Sequence, residues 1–109
     1  MAVGRRLFIS GTASIAPDGS SAYPDDPAGQ VACTMEAVAA VAAQAGGRLE
    51  DALRGIVYWH DARCLPLFAA WCRAHGLTTL PAVTAAADIC RSELIFEVEL
   101  ELLLPETRA

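Results

Sequence analysis

Basic residues are scarce in this 109-residue chain: eight lysines and arginines stand against 13 aspartates and glutamates, for a net charge of −5. Only Arg5 and Arg6 are adjacent. A nucleic-acid surface needs clustered cations to displace counterions from phosphates, so no nucleic-acid partner is expected. Long apolar runs are missing as well. The longest, Val31 to Ala45, is broken by Thr34, Glu36 and Gln44, whereas a membrane span needs about 20 apolar residues. No membrane partner is expected either. The N-terminal residues reach Phe8 and Ile9 without an apolar core followed by a cleavage site, so the expected location is cytoplasmic. None of the four cysteines has a C-x-x-C neighbour, and His60 and His75 are not at ligand spacing from them. Neither a metal nor another cofactor is expected. Cys33, Cys64 and Cys72 read as reduced core thiols.

Apolar residues, by contrast, are plentiful, at 54% of the chain. That excludes disorder and slightly exceeds the content of a typical free-standing monomer. The length predicts one domain over residues 1–109. A chain this short buries only about two thirds of its unfolded surface, so self-association would stabilise it.

Residues 6–15 predict a β-branched strand, followed by turn chemistry at Pro17-Asp18-Gly19-Ser20. Asp26 and Pro27 then open a helix, Asp26 as cap and Pro27 where its missing N–H costs nothing. Val31, Met35, Val38, Ala39 and Ala42 form its apolar stripe, and Gly46-Gly47 stops it. A helical turn over 49–53 leads to a strand over 55–60 and a second helix from Asp61 to Ala74, with Pro66 in its first turn. Two further strands, 83–90 and 94–103, are expected to form a hairpin turning at Ser92-Glu93. The order β-α-β-α-β-β implies an α+β two-layer fold with both helices on one face of the sheet.

The final strand alternates strictly. Leu94, Phe96, Val98, Leu100 and Leu102 suit the face beneath the helices. Glu97, Glu99 and Glu101 fall on the opposite face at roughly 6.6–6.8 Å intervals. Glu99 and Glu101 read as solvated. Glu97, flanked by Ile95 and Phe96 near the turn, reads as partly desolvated, the setting in which acid/base carboxyls are found. A structural hydrogen bond is the competing role.

Several segments together resemble the Rid/YjgF (reactive intermediate deaminase) family: Leu7-Phe-Ile-Ser-Gly-Thr12, Ala45-Gly-Gly-Arg-Leu-Glu-Asp-Ala-Leu53 running into Val57-Tyr-Trp-His-Asp61, Leu80-Pro-Ala82, and Ile89-Cys-Arg-Ser-Glu-Leu-Ile-Phe-Glu-Val-Glu99. Their order and spacing across residues 6–103 carry the resemblance. It implies a chorismate-mutase-like fold and a homotrimer whose sheets line a barrel, with ligand sites in clefts between subunits. Two departures matter. The family's first strand, with its aromatic site residue, has little room before the Ile-Ser-Gly strand. Val83 stands where the imine deaminases carry the arginine that grips a substrate carboxylate, which argues against 2-aminoacrylate deamination of the family type. Ala87-Asp-Ile-Cys-Arg91, with Glu97 seven residues after Cys90, is also similar to the C-terminal half of the chorismatases. There the glutamate is regarded as proton donor and the cysteine position helps to steer the product.

The candidate site is therefore Glu97 as the catalytic acid/base, with Arg91, Cys90 and Ser10 as contacts to a small carboxylated metabolite. Each has a plainer competing role: an ion pair for Arg91, a buried thiol for Cys90, a packing hydroxyl for Ser10. His60-Asp61 reads as a strand end followed by a helix cap, with a catalytic dyad as the alternative. A two-residue hairpin turn sets Asp88 opposite Glu97 and brings Cys90 to the same face; a three-residue turn sets Ala87 there and sends Cys90 away. Three functions follow as expectations: a trimeric enzyme, a metabolite-binding trimer without turnover, or an accessory to a partner that supplies a missing lobe.

Overall fold

The computed structural model describes residues 5–77 and 80–105. Strand β1 (Arg5–Thr12) is followed by helix α1 (Pro27–Gln44), a 3-10 turn (Leu49–Asp51), strand β2 (Ala52–Trp59), helix α2 (Cys64–Ala74), strand β3 (Ala82–Ala86) and strand β4 (Phe96–Leu104). The sheet order is β1-β4-β2-β3. β4 is antiparallel to both neighbours, and β2 runs parallel to β3.

Helix α1 starts and stops where its punctuation dictates. The Asp26 side chain accepts from the Gly29 N–H at 3.1 Å, and Pro27 occupies the first turn. At the other end Gly46 adopts φ +82°, which a side chain would resist. Gly47 N then donates to Ala42 O at 2.8 Å and Gly46 N to Ala43 O at 3.0 Å, closing the last carbonyls in a Schellman arrangement. α2 begins at Cys64, three residues after the expected start, because Asp61 accepts from Arg63 N in a tight turn before the helix.

The core lies between the helices and the sheet. Val31, Met35, Val38 and Ala42 of α1 pack on Ile9, Val57, Phe96, Val98, Leu100 and Leu102. The five alternating apolar residues from Leu94 to Leu102 are each at most 1% exposed. Burying a large aliphatic or aromatic side chain stabilises by about 1.5–3 kcal/mol, so this strand supplies a large part of the driving force. Among the described residues no helix is long and apolar enough to cross a membrane.

The expected 83–90/94–103 hairpin does not form. α2 carries the chain back so that β3 lies parallel to β2, as a β-α-β crossover requires, and β3 ends at Ala86. The segment 87–95 then crosses the end of the sheet, and β4 enters between β1 and β2. The physical reason is burial. A strand with a wholly apolar face needs partners on both edges and helices above it, whereas Ala-Val-Thr-Ala-Ala is short and small-sided, as suits an edge. Neither expected register survives: Tyr58 lies opposite Glu97, Ile56 opposite Glu99, and both Arg54 and Phe8 opposite Glu101.

Candidate functional site

The face of the sheet away from the helices carries the three β4 carboxylates, and they differ sharply. Glu101 is 9% exposed and clamped. Its Oε1 accepts from Arg54 Nε at 2.8 Å, and Arg6 Nη1 reaches Oε2 at 3.2 Å. The Arg54 hydrogen bond, ahead of that from Arg6, holds the Glu101 carboxyl below the usual range. Glu99 is half-buried and accepts from the Tyr58 hydroxyl at 3.0 Å. That bond, followed by burial and by the charges of Glu99 and Glu97, raises the Tyr58 phenol above its ordinary value. The solvated-face expectation for these two is thus corrected: cross-strand cations and a phenol occupy them.

Glu97 is different. It is half-buried, yet no side-chain hydrogen bond or ion pair reaches it among the described residues. Its carboxyl lies over Gly11, where the β1–β4 register shifts between Ile9 and Thr12. A Cβ on residue 11 would stand 3.0 Å from Glu97 Cδ and Oε2. Glycine in the irregular strand therefore makes room for the acid.

A cleft of about 280 Å³ opens at the same end of β2 and β4, lined by His60, Asp88, Ile89, Arg91, Ser92 and Leu94. His60 Nδ1 lies 3.2 Å from Asp88 Oδ1. Arg91 Nη1 donates to Gly19 O at 2.9 Å and to Ser21 Oγ at 3.2 Å, which ties the 87–95 segment to the loop after β1. Beneath that segment Gln30 is fully buried. Its Nε2 donates to Glu93 O (2.7 Å) and Tyr23 O (3.1 Å), and its Oε1 accepts from Ile95 N (2.9 Å). One side chain from α1 thereby fixes the approach to β4 that carries Arg91 and Glu97. A second cleft of about 380 Å³ on the open face is lined by Phe8, Arg54, Ile56, Val83, Glu99 and Glu101, among others.

Of the four residues singled out in the sequence, Arg91 lines the smaller cleft, and Glu97 lies on β4 across from Tyr58, two residues before His60. Ser10 is exposed beside Gly11, its carbonyl accepting from Thr12 Oγ1 at 2.9 Å. Cys90 is exposed in the single chain, outside the strands and outside that lining. His60 pairs with Asp88, while Asp61 is engaged by Arg63, with contacts of 2.5–3.1 Å. The sequence reading missed the His60–Asp88 pair and the Gln30 clasp. For His60 the visible signal was its place directly after Trp59 at the end of β2. Among the described residues no group of three or more His, Cys, Asp or Glu could hold a metal ion.

No protein-family model matches the chain, and no curated protein matches it significantly. Solved structures do. The Rid-family protein YyfB of Yersinia pestis, of unknown function, superposes with a TM-score of 0.79 at 22% identity, over 94% of this chain and 80% of its own. Escherichia coli TdcF, crystallised with bound serine, gives 0.77 at 21% over 94% and 84%. The E. coli YjgF gene product gives 0.76 at 19% over 94% and 84%. The two helices and mixed four-stranded sheet are shared with these proteins along nearly the whole chain. The fold is that of the Rid/YjgF/UK114 proteins.

Proposed function

We propose that the protein is a Rid-like homotrimer that binds a small carboxylated metabolite in clefts completed by neighbouring copies, with Arg91 holding the carboxylate and Glu97 moving a proton. The observation that carries this reading is the contrast among three carboxylates on one strand face. Glu99 and Glu101 are engaged by Tyr58, Arg54 and Arg6, and Glu97 alone is left for a ligand. Ser10, beside Gly11, and Cys90, next to Arg91, are assigned further ligand contacts. The uncovered sheet face, with Phe8 and Val83 each about two thirds exposed, supports burial against other copies.

Two reactions suit one acid working with a carboxylate anchor: hydrolysis of an imine or enamine, and chorismatase-like hydrolysis of an enol ether. In the enamine and enol-ether cases the carboxyl proton passes to the electron-rich carbon. The C=C electron pair forms the new C–H bond, the nitrogen or oxygen lone pair stabilises the cation, and water then adds. The serine bound to TdcF supports a small carboxylate as the ligand class. Val83 favours a second reading, a metabolite-binding trimer without turnover, because the carboxylate-gripping arginine of the imine deaminases is replaced there.

The test is Glu97→Gln on whichever activity emerges from screening imines, enamines and chorismate. A loss of about 10²–10⁴-fold in turnover is expected. Undiminished turnover in a folded variant excludes the role. Thermal shifts with carboxylates and no product from pure protein would select the binding reading. Light scattering at three times the 11.5 kDa chain mass tests the trimer.

A further inference from the structure

The His60–Asp88 contact is built by the sheet. β2 and β3 run parallel with Trp59 paired to Ala86, and the ladder continues one step as Ala87 N donates to Trp59 O at 3.0 Å. His60 follows Trp59 directly, and Asp88 follows Ala87, so the acid stands one residue beyond the position in register with His60. The His60 backbone is also fixed on its other side, its N–H donating to Ile95 O at 3.0 Å. The pair thus projects from the tied end of a parallel ladder into the cleft that Arg91 lines.

The hydrogen-bond inventory of the cleft specifies its ligand. A carboxylate oxygen only accepts, so in the tautomer that presents Nδ1–H to Asp88 Oδ1, 3.2 Å away, Nε2 is the acceptor. A guanidinium has five N–H groups, two of them on Nη1, and Gly19 O and Ser21 Oγ take up Nη1. The three N–H groups on Nε and Nη2 have no partner among the described residues, and this edge accepts a carboxylate in side-on, two-bond fashion. Ile89 and Leu94 add apolar wall, and a volume of about 280 Å³ suits a compact molecule.

We propose that this cleft is a binding site for small α-hydroxycarboxylates: Arg91 takes the carboxylate, and the ligand's hydroxyl donates to His60 Nε2, with Asp88 as the positioning residue. This rests on the reading of Arg91 as a carboxylate anchor, but it requires neither Glu97 nor turnover.

Acetate and glycolate are the probes, since they differ by the one hydroxyl. Calorimetry on the full chain should show glycolate binding about fivefold tighter than acetate, the factor for one added neutral hydrogen bond. The His60 ring nitrogens should shift saturably in long-range ¹H–¹⁵N spectra as glycolate is added. His60→Phe should abolish the preference while acetate affinity stays. Asp88→Asn should alter the His60 tautomer signature in the same spectra and reduce the preference. Equal affinities with unmoved His60 nitrogens overturn the inference and leave the Glu97 reading intact, because that one is judged by turnover. Failure of both acids to bind overturns the inference and the Arg91 anchor together.

Discussion

The carboxyl of Glu97 rests on Gly11, and the absence of a side chain at residue 11 lets it do so. Gly11 lies outside the positive-φ residues, so alanine suits its backbone and only the acid must give way. Gly11→Ala is expected to leave stability within about 0.5 kcal/mol of the wild type and to lower Glu97-dependent turnover about 100-fold through misplacement of the proton donor. Thermal melting set beside single-turnover kinetics checks the pair. A large fall in melting temperature with activity kept would locate the role of Gly11 in the strand instead.

Gln30→Leu keeps the volume of the buried clasp and removes its hydrogen bonds. The buried Ile95 N–H and the Glu93 carbonyl lose their Gln30 partner, while the Tyr23 carbonyl keeps the Asp26 N–H, and the expected cost is about 2–4 kcal/mol. Urea denaturation measures it. Acetate binding should weaken in parallel, because the same clasp supports the Arg91 segment.

Val83 is 66% exposed on the edge strand of the single chain, so Val83→Arg should leave the protomer fold intact, and light scattering checks that the assembly persists. The new guanidinium would reach the open-face cleft shared with Phe8 and Ile56. A gain of about tenfold or more in 2-aminoacrylate hydrolysis is expected from a bidentate anchor. An assay coupled to keto-acid reduction reads it, and no gain would indicate that the rest of that site is absent.

Acid should destabilise the fold through two paired carboxylates. Glu101 is held below its ordinary range chiefly by Arg54, and Asp61 lies at about 2 through its hydrogen bonds from Arg63. Folding favours the ionised form of both. Their contribution is full above the ordinary carboxylate range of about 4 and is lost as the pH falls through the lowered values. In Glu101→Gln the acid limb of a stability–pH curve should become shallower, and a superimposable limb would refute the assignment.

At the alkaline end the sign reverses. Burial pushes the Cys64 thiol from 9.0 up to about 11, and burial raises Cys72 in the same direction. The fold favours the protonated thiol, so this contribution is whole below pH 9 and disappears as the pH approaches about 11. In native protein Cys90, which is exposed, should be alkylated first, while Cys64 and Cys72 should react only on unfolding. Mass spectrometry of partially labelled protein decides this.

What could be read in the sequence was local. Asp26-Pro27 and Gly46-Gly47 bracket α1 because caps act within a turn of their own residue, and the alternation of β4 reported its buried face because a strand's pleat has period two. The pairing of β4 was not legible. Ser92-Glu93 resembles a hairpin turn, and nothing local discloses that α2 has already sent β3 to the far edge. The same holds at the site. Glu97 could be singled out from its neighbours Ile95 and Phe96. What distinguishes it from Glu99 and Glu101 is the set of partners Tyr58, Arg54 and Arg6, which only the sheet order supplies. His60 was visible as a strand end, but its partner lies 28 positions further on and depends on the parallel ladder.

The central place of β4 also governs when the molecule can form. Arg5 pairs with Leu104 across almost the entire described chain, so a nascent chain emerging from the ribosome holds β1 and β2 with a vacancy between them until residue 104 is made. Contacts of such long sequence separation slow folding. The two waiting strand edges are the surfaces through which incomplete chains would stick to one another, and truncation before Phe96 should yield aggregates rather than a smaller folded unit.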